Sequence, residues 1–124
     1  MSMIYFTICT LLFASTSSAL RAPAVVYSAI IENACDTSIQ CSIVWSQVSG
    51  QTLQSGLFTI ANKQNYLVNE HETTIDTWKA RSIIQEIHCG KLVLAAPFDK
   101  VISPQTNWKF VVQSDKIVSV GPNN

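Results

Sequence analysis

Apolar residues along this chain occur in short runs, and clusters of turn-forming residues separate one run from the next. The runs are rich in valine, isoleucine, threonine and aromatic residues, which favour strands over helices. They occupy residues 25–33, 39–47, 52–61, 66–68, 92–96, 108–113 and 117–120. About seven to nine short strands in one domain predict a mainly β fold, either an antiparallel β-sandwich or a small barrel.

Side-chain alternation within the runs separates core positions from surface positions, because successive side chains of a strand point to opposite faces. Gly56 interrupts the run at 52–61, and a glycine there is typical of a β-bulge. The residues that alternation assigns to the core include Ile43 and Trp45 in one run and Trp108, Phe110 and Val112 in another.

Residues 73–89 admit two interpretations. As strands, they form one run over 73–80 and a second over 82–89. As a single helix, they begin with a capping pattern at Thr73 and end at Gly90. The many β-branched residues of this segment favour the strands.

The amino-terminal segment has the pattern of a secretory signal peptide. Residues 3–14 are apolar, and small residues follow at 15–19, as signal peptidase requires. A membrane anchor needs about 20 apolar residues, which is longer than this run. Residues 1–19 are therefore expected to be removed, and residues 20–124 to form a single secreted β domain without a transmembrane segment.

The charges of the chain argue against two classes of partner. Eight Lys and Arg residues stand against eight Asp and Glu residues, which gives a formal net charge of zero. These charges form no basic stripe, so nucleic acid is not an expected partner. Nor do they form the polybasic cluster that attracts proteins to anionic membranes.

Three cysteines lie after residue 19, and an odd number leaves one of them outside an internal bridge. A hairpin between the runs at 25–33 and 39–47 would place Cys35 opposite Cys41, at a separation that suits a disulfide. We therefore expect a Cys35–Cys41 bridge and a buried, reduced Cys89. The competing pairing is Cys41–Cys89, which would join the two sheets of a sandwich.

Catalytic and metal-binding patterns are scarce in the sequence. Glu70, His71 and Glu72 form a polar cluster, but a metal site requires more ligands at suitable spacing. No GxSxG motif occurs, and the four glycines are isolated, which argues against a phosphate-binding loop. Neither a metal nor another cofactor is expected. A secreted hydrolase that uses Glu70, Glu72 or Asp76 is the least favoured of the functions considered.

Exposed aromatic residues are a common means by which small β domains bind other molecules. The candidate ligand contacts are Trp78 and Phe98. In a continuous strand Trp78 would share its face with mostly polar residues, and Phe98 lies in a predicted loop between Pro97 and Asp99. The expected function is a secreted, non-enzymatic binding module that recognises an extracellular protein, glycan or lipid surface. The alternative is a disulfide-linked extracellular structural protein that uses the odd cysteine.

The signal-peptide assignment predicts the mature amino terminus. Secreted protein should begin at Leu20 or within a few residues of it, because the run of small residues ends at Ala19. Amino-terminal sequencing of the secreted material checks this. Secreted protein that retains residues 3–14 would contradict the assignment and favour a membrane-anchored form.

Overall fold

The computed structural model describes residues 23–122, and the predicted signal peptide at 1–19 lies outside them. Strands and loops, but no helix, make up this part of the chain, so it contains no helix of the length and hydropathy that a membrane crossing requires. The strands are β1 (Ala29–Asn33), β2 (Ile39–Ser46), β3 (Thr52–Gln54), β4 (Phe58–Ile60), β5 (Asn65–Val68), β6 (Glu72–Ile75), β7 (Trp78–Arg81), β8 (Ile83–Cys89), β9 (Leu92–Ala95), β10 (Trp108–Val112) and β11 (Ile117–Pro122).

Two sheets share one core. Sheet A has the strand order β11-β10-β1-β5, and sheet B has the order β3-β2-β8-β9, with β4 also paired to β2. The strands β6 and β7 form a separate two-stranded hairpin. Buried side chains from both sheets form a single apolar cluster, so the predicted mainly β fold of the sandwich type is confirmed. Residues 23–122 contain eleven strands, more than the number expected.

Residues 73–89, for which the sequence allowed either strands or a helix, form strands, as their β-branched residues predicted. The first part of this segment differs from the prediction, because 73–80 is not one strand. The chain turns back at Asp76-Thr77, and β6 pairs with β7. Asp76 has a φ of 54°, a left-handed conformation that aspartate tolerates better than most residues.

The predicted hairpin between the first two runs is wrong. β1 pairs in parallel with β10 and antiparallel with β5, whereas β2 pairs with β3, β4 and β8 in the other sheet. Strand propensity and turn residues are the same for a hairpin and for a connection that crosses between sheets, so the local sequence does not separate the two. Cys35 consequently does not lie opposite Cys41.

The disulfide is Cys41–Cys89, so the predicted Cys35–Cys41 bridge is wrong. The two bonded cysteines are directly opposed on the adjacent strands β2 and β8, and their Cα atoms are 4.1 Å apart. The competing prediction named the correct pair of cysteines but supposed that their bridge would join the two sheets. The bridge instead lies within sheet B. Cys35, half-buried in the connection between β1 and β2, is the free thiol in place of Cys89.

Alternate residues of both sheets enter the core, as the sequence pattern predicted. The indole Nε1 of Trp108 donates a hydrogen bond to the Ser119 hydroxyl at 2.9 Å, and this hydroxyl donates to the Asp99 carbonyl oxygen at 2.6 Å. The polar end of the buried ring is thus satisfied inside the protein. The predicted core residues that are buried include Ile43, Trp45, Trp108, Phe110 and Val112.

The bulge predicted at Gly56 is present as a one-residue change of register along β2. Val44 lies opposite Gln54 in β3, whereas Cys41 lies opposite Phe58 in β4. A continuous ladder would place Cys41 opposite the preceding residue. One extra residue is therefore accommodated between β3 and β4.

A fully buried asparagine joins the two sheets. The two side-chain N–H groups of Asn33, in β1, donate to three carbonyl oxygens, those of Thr37 at 2.9 Å, Ile60 at 3.0 Å and Ala61 at 3.3 Å, so that one N–H is shared between two of them. Its Oδ1 accepts the N–H of Cys35 at 2.9 Å. Ile60 belongs to β4 of sheet B, so these bonds hold the connection through which the chain passes from sheet A to sheet B.

Asn33→Asp should destabilise the domain strongly. The substitution keeps the shape of the side chain but places a carboxylate oxygen where Nδ2 now faces three carbonyl oxygens. The free energy of unfolding should fall by about 3 kcal/mol or more, as measured by urea denaturation. Asn62→Asp, the same change at an exposed turn residue, should alter it by less than about 0.5 kcal/mol. Equal effects of the two substitutions would contradict the role given to Asn33.

Candidate functional site

The sandwich is open on one side. There, β3 and β4 form the edge of sheet B and β5 forms the edge of sheet A, whereas β9 and β11 lie close to each other on the opposite side. The opening is a cleft of about 310 Å³, which we call the edge cleft. Its floor is made of the core residues Ile43, Trp45 and Val68, and its walls are made of Leu57, Phe58 and Tyr66.

The bulge between β3 and β4 shapes one wall of the cleft. Ser55 stays attached to β2, because its N–H donates to the Ile43 carbonyl oxygen and its Oγ accepts the Ile43 N–H, both at 2.8 Å. The extra residue is accommodated beyond this point, and Leu57 is left 71% exposed. A large apolar side chain is thereby held at the rim by the strands on either side of it.

A stacked aromatic pair joins the two walls. The rings of Phe58 in β4 and Tyr66 in β5 are nearly parallel, with an interplanar angle of 8° and centroids 4.1 Å apart. The pair connects the edge of sheet B to the edge of sheet A. Stacking of this kind contributes about 0.5–1.5 kcal/mol beyond the burial of the rings, so it helps to fix the width of the opening.

A histidine lies beside the floor of the cleft. The ring centroids of His71 and Trp45 are 5.6 Å apart, and His71 Nδ1 is 3.2 Å from the Ser82 hydroxyl. The Ser82 N–H also donates to the His71 carbonyl oxygen at 2.7 Å. These contacts give His71 a structural role beside Trp45.

The side chains that line the edge cleft are mostly aromatic or aliphatic, and none of them carries a formal charge. Ser55, Tyr66 and Asn69 supply polar groups, and the Ser55 hydroxyl is already bonded to Ile43 and to the Gly56 carbonyl oxygen. A ligand in this cleft would therefore be held by dispersion, by desolvation and by aromatic contact.

Strand β5 adds main-chain hydrogen-bonding groups beside the cleft. It pairs with β1 on one side, and within residues 23–122 no strand pairs with it on the other. The Asn33 N–H donates to the Gln64 carbonyl oxygen, and hydrogen-bonded pairs alternate along an antiparallel ladder. The N–H and C=O groups of Asn65 and Leu67 consequently point away from β1.

Trp78, a predicted ligand contact, is 51% exposed and lies on the β6–β7 hairpin rather than in the edge cleft. Ala80, two residues further along β7 and on the same face, is buried, so the base of the hairpin rests on the domain. Arg81 adds to this attachment. Its guanidinium lies 3.8 Å from the centroid of the Tyr27 ring and 3.6 Å from the Glu70 carboxylate.

Phe98, the other predicted ligand contact, is not at the surface. It is 5% exposed, and its ring packs edge-on against Phe110 with centroids 5.0 Å apart. Val101, from the same loop, is also buried. Pro97 and Asp99 correctly indicate a loop, but the structure uses Phe98 to anchor that loop to the core.

The carboxylates considered for hydrolysis are spread along the β6–β7 hairpin. Glu70 lies beside Arg81, Glu72 begins β6, and Asp76 occupies the turn at the other end. Glu72 and Asp76 are separated by about 13 Å of strand, which exceeds the separation of about 5–9.5 Å between the two carboxylates of a glycosidase, and the Glu70 carboxylate is paired with Arg81. Among residues 23–122, no group of three or more His, Cys, Asp or Glu is placed to hold a metal ion.

The free thiol of Cys35 lies away from the edge cleft. Its Sγ is 3.8 Å from the Val112 carbonyl oxygen. Together with Cys89 and Lys91, it lines a separate cleft of about 450 Å³. Cys35 thus replaces Cys89 as the residue on which the disulfide-linked alternative depends.

The wall residues of the edge cleft are absent from the sequence-based candidates. Leu57, Phe58 and Tyr66 belong to runs that the sequence assigns to ordinary strands. The one feature of the sequence that could have indicated these wall residues is the position of Gly56 directly before two apolar residues. A bulge at that point must take one of the two out of the regular alternation and expose it.

Comparison of the chain with protein-family models, with characterised proteins and with solved structures finds no significant match. Function must therefore be inferred from the chemistry and geometry of the site.

Phe98→Ala should lower the free energy of unfolding by about 3–5 kcal/mol, because it removes a buried ring from the core. Trp78→Ala should lower it by about 1 kcal/mol or less, because half of this side chain is already in contact with water. Urea denaturation of the two variants measures the difference. A small effect of Phe98→Ala would contradict its role as a loop anchor and return it to the candidate contacts.

Proposed function

We propose that this chain is a secreted, non-enzymatic binding module, and that its edge cleft receives an extended apolar segment of an extracellular protein. The main support is the combination of an uncharged cleft, walled by aromatic and aliphatic side chains, with the unpaired edge of β5. Recognition by strand addition uses both features, because main-chain hydrogen bonds give affinity and pockets for alternate side chains give specificity.

The geometry of the cleft defines the expected ligand. A strand added beside β5 would bond to the outward main-chain groups of Asn65 and Leu67. Its side chains would alternate in direction, as in any strand. Those on the inner face would enter the edge cleft between Leu57 and the Phe58–Tyr66 pair. The expected ligand is therefore a segment of about four to six residues with apolar side chains at every second position.

A glycan or a lipid would fit the same cleft less well. A sugar requires several free polar side chains for its hydroxyl groups, whereas most side chains here are aromatic or aliphatic and the Ser55 hydroxyl is already bonded within the protein. A lipid chain would cover the outward main-chain groups of β5 without bonding to them, which is costly. The lining also has no cation for an anionic headgroup.

Two further features support the proposal. The Cys41–Cys89 disulfide agrees with the signal-peptide pattern at residues 1–19, because such bridges persist in oxidising compartments outside the cytosol. The uncharged lining of the cleft favours binding over catalysis, since it contains no carboxylate, imidazole or amine for general acid–base chemistry, and its one phenol, that of Tyr66, belongs to a ring stacked on Phe58.

Selection of a displayed random-peptide library on the mature protein tests this function. Peptides with alternate apolar residues should be recovered. Leu57→Lys should weaken their binding at least about tenfold, because it places a charge at the apolar rim. Ile102→Lys, the same charge at an exposed residue that does not line the cleft, is the matched control and should leave binding unchanged.

A second pair of variants tests the strand edge. Leu67→Pro removes the outward N–H of β5, whereas Leu67→Ala shortens the side chain and keeps the N–H. Binding should be lost in the proline variant and retained in the alanine variant. Failure to recover any peptide, or peptides that bind Leu57→Lys and Leu67→Pro as tightly as the parent protein, would overturn the proposal.

A further inference from the structure

Aliphatic side chains predominate on the outer face of sheet A. Leu67 is 50% exposed and Val120 is 40% exposed, and the other aliphatic residues beside them are partly shielded by neighbours in the sheet. The set extends across all four strands, on the side that faces away from the core. We call it the outer aliphatic face, and its members are Ile30 of β1, Leu67 of β5, Val111 of β10, and Val118 and Val120 of β11.

The outer face of sheet B is different in character. Polar residues lie among its aliphatic residues, including Ser42, Glu86 and His88, and His88 Nε2 is 2.7 Å from the Glu86 carboxylate. Antiparallel sheets commonly have one face on the core and one polar, solvated face. Sheet A departs from this pattern, and contiguous exposed apolar patches mark interaction surfaces.

One ion pair lies within the outer aliphatic face. Lys109 Nζ is 3.1 Å from Glu32 Oε1, and the two side chains are 29% and 34% exposed. They lie on the adjacent central strands β10 and β1, where Ile30 is directly opposite Lys109 and Val111 is directly opposite Glu32. The face therefore carries one charge of each sign, and Glu32 lies between the aliphatic Val111 on β10 and the polar Asn65 on β5.

We propose that the outer aliphatic face is a homodimer interface, with a second copy of this chain as its partner. The charge arrangement favours this partner. Lys109 and Glu32 neutralise each other, but a purely apolar surface would take the pair out of water and leave the remaining protons of Lys109 and lone pairs of Glu32 without partners, which is costly. A copy related by a two-fold axis brings its own Lys109 toward Glu32 and its own Glu32 toward Lys109, because such an interface is self-complementary.

The size of the face is that of a weak, reversible dimer. Four strands about 4.8 Å apart and about 17 Å long cover roughly 300 Å² in projection. A standard interface buries about 800 Å² of accessible surface on each partner. The dissociation constant is therefore expected to lie between about 10 µM and about 1 mM. The interface is independent of the proposed peptide binding, although β5 contributes to both surfaces.

Sedimentation equilibrium of the mature protein tests the dimer, in a Cys35→Ser background that excludes a disulfide between copies. Dimer should be present at about 1 mM and absent at about 1 µM. Val111→Lys should weaken dimerisation at least about tenfold, because it places a charge inside the apolar interface. Val93→Lys, the same change at an exposed position on the outer face of sheet B, should have no effect.

Charge reversal identifies the partner as a second copy. Glu32→Lys leaves two cations on the face and Lys109→Glu leaves two anions, so each variant alone should remain monomeric where the parent protein dimerises. An equimolar mixture of the two should associate again, because faces of opposite charge then meet. Thermal unfolding of each variant confirms that it is folded.

Three results would overturn the dimer proposal. These are a protein that stays monomeric at about 1 mM, a dimer that Val111→Lys does not weaken, and a mixture of the two charge variants that stays monomeric. A dimer that forms only when Cys35 is present would overturn it as well, in favour of the disulfide-linked form.

Discussion

The side chain of Asn33 determines how the two sheets are connected. Consecutive strands usually pair with each other, yet β1 and β2 separate, and the hydrogen bonds of this buried amide hold the connection between them. A buried amide without partners would be costly, so its four bonds make the crossing and the position of β4 interdependent. The disulfide follows from the same crossing. Because β2 belongs to sheet B, Cys41 meets Cys89 on β8 and Cys35 stays free.

The same crossing creates both surfaces on which the proposals depend. It makes β1 a central strand of sheet A and leaves β5 as the edge beside it, facing the edge of sheet B. Strand alternation then divides β5 between two environments. Tyr66 points inward to the aromatic stack, whereas Leu67 points outward beside Ile30. A four-residue strand thereby presents its main chain to one proposed partner and a side chain to the other.

The sequence predicted strands and burial better than it predicted strand partners. Alternation correctly placed Trp45 and Trp108 in the core, because burial of every second residue is a local property of a strand. Partner choice depends on distant residues: nothing near the first connection specifies a crossing except Asn33, whose own bonds require β4. The edge cleft could not be predicted for the same reason. Leu57 and Tyr66 belong to different sheets, and only the tertiary fold brings them to one site.

The parallel pairing of β1 with β10 has a consequence for synthesis of the protein. Ser28 and Asn107, which are hydrogen-bonded at the start of this pairing, are 79 residues apart. All strands of sheet B lie before residue 96, so that sheet is complete before β10 leaves the ribosome. Until then β1 has β5 alone beside it, and half of sheet A is missing. A chain that ends early would expose the core side of a finished sheet B, which is the kind of apolar surface that makes incomplete chains aggregate or bind chaperones.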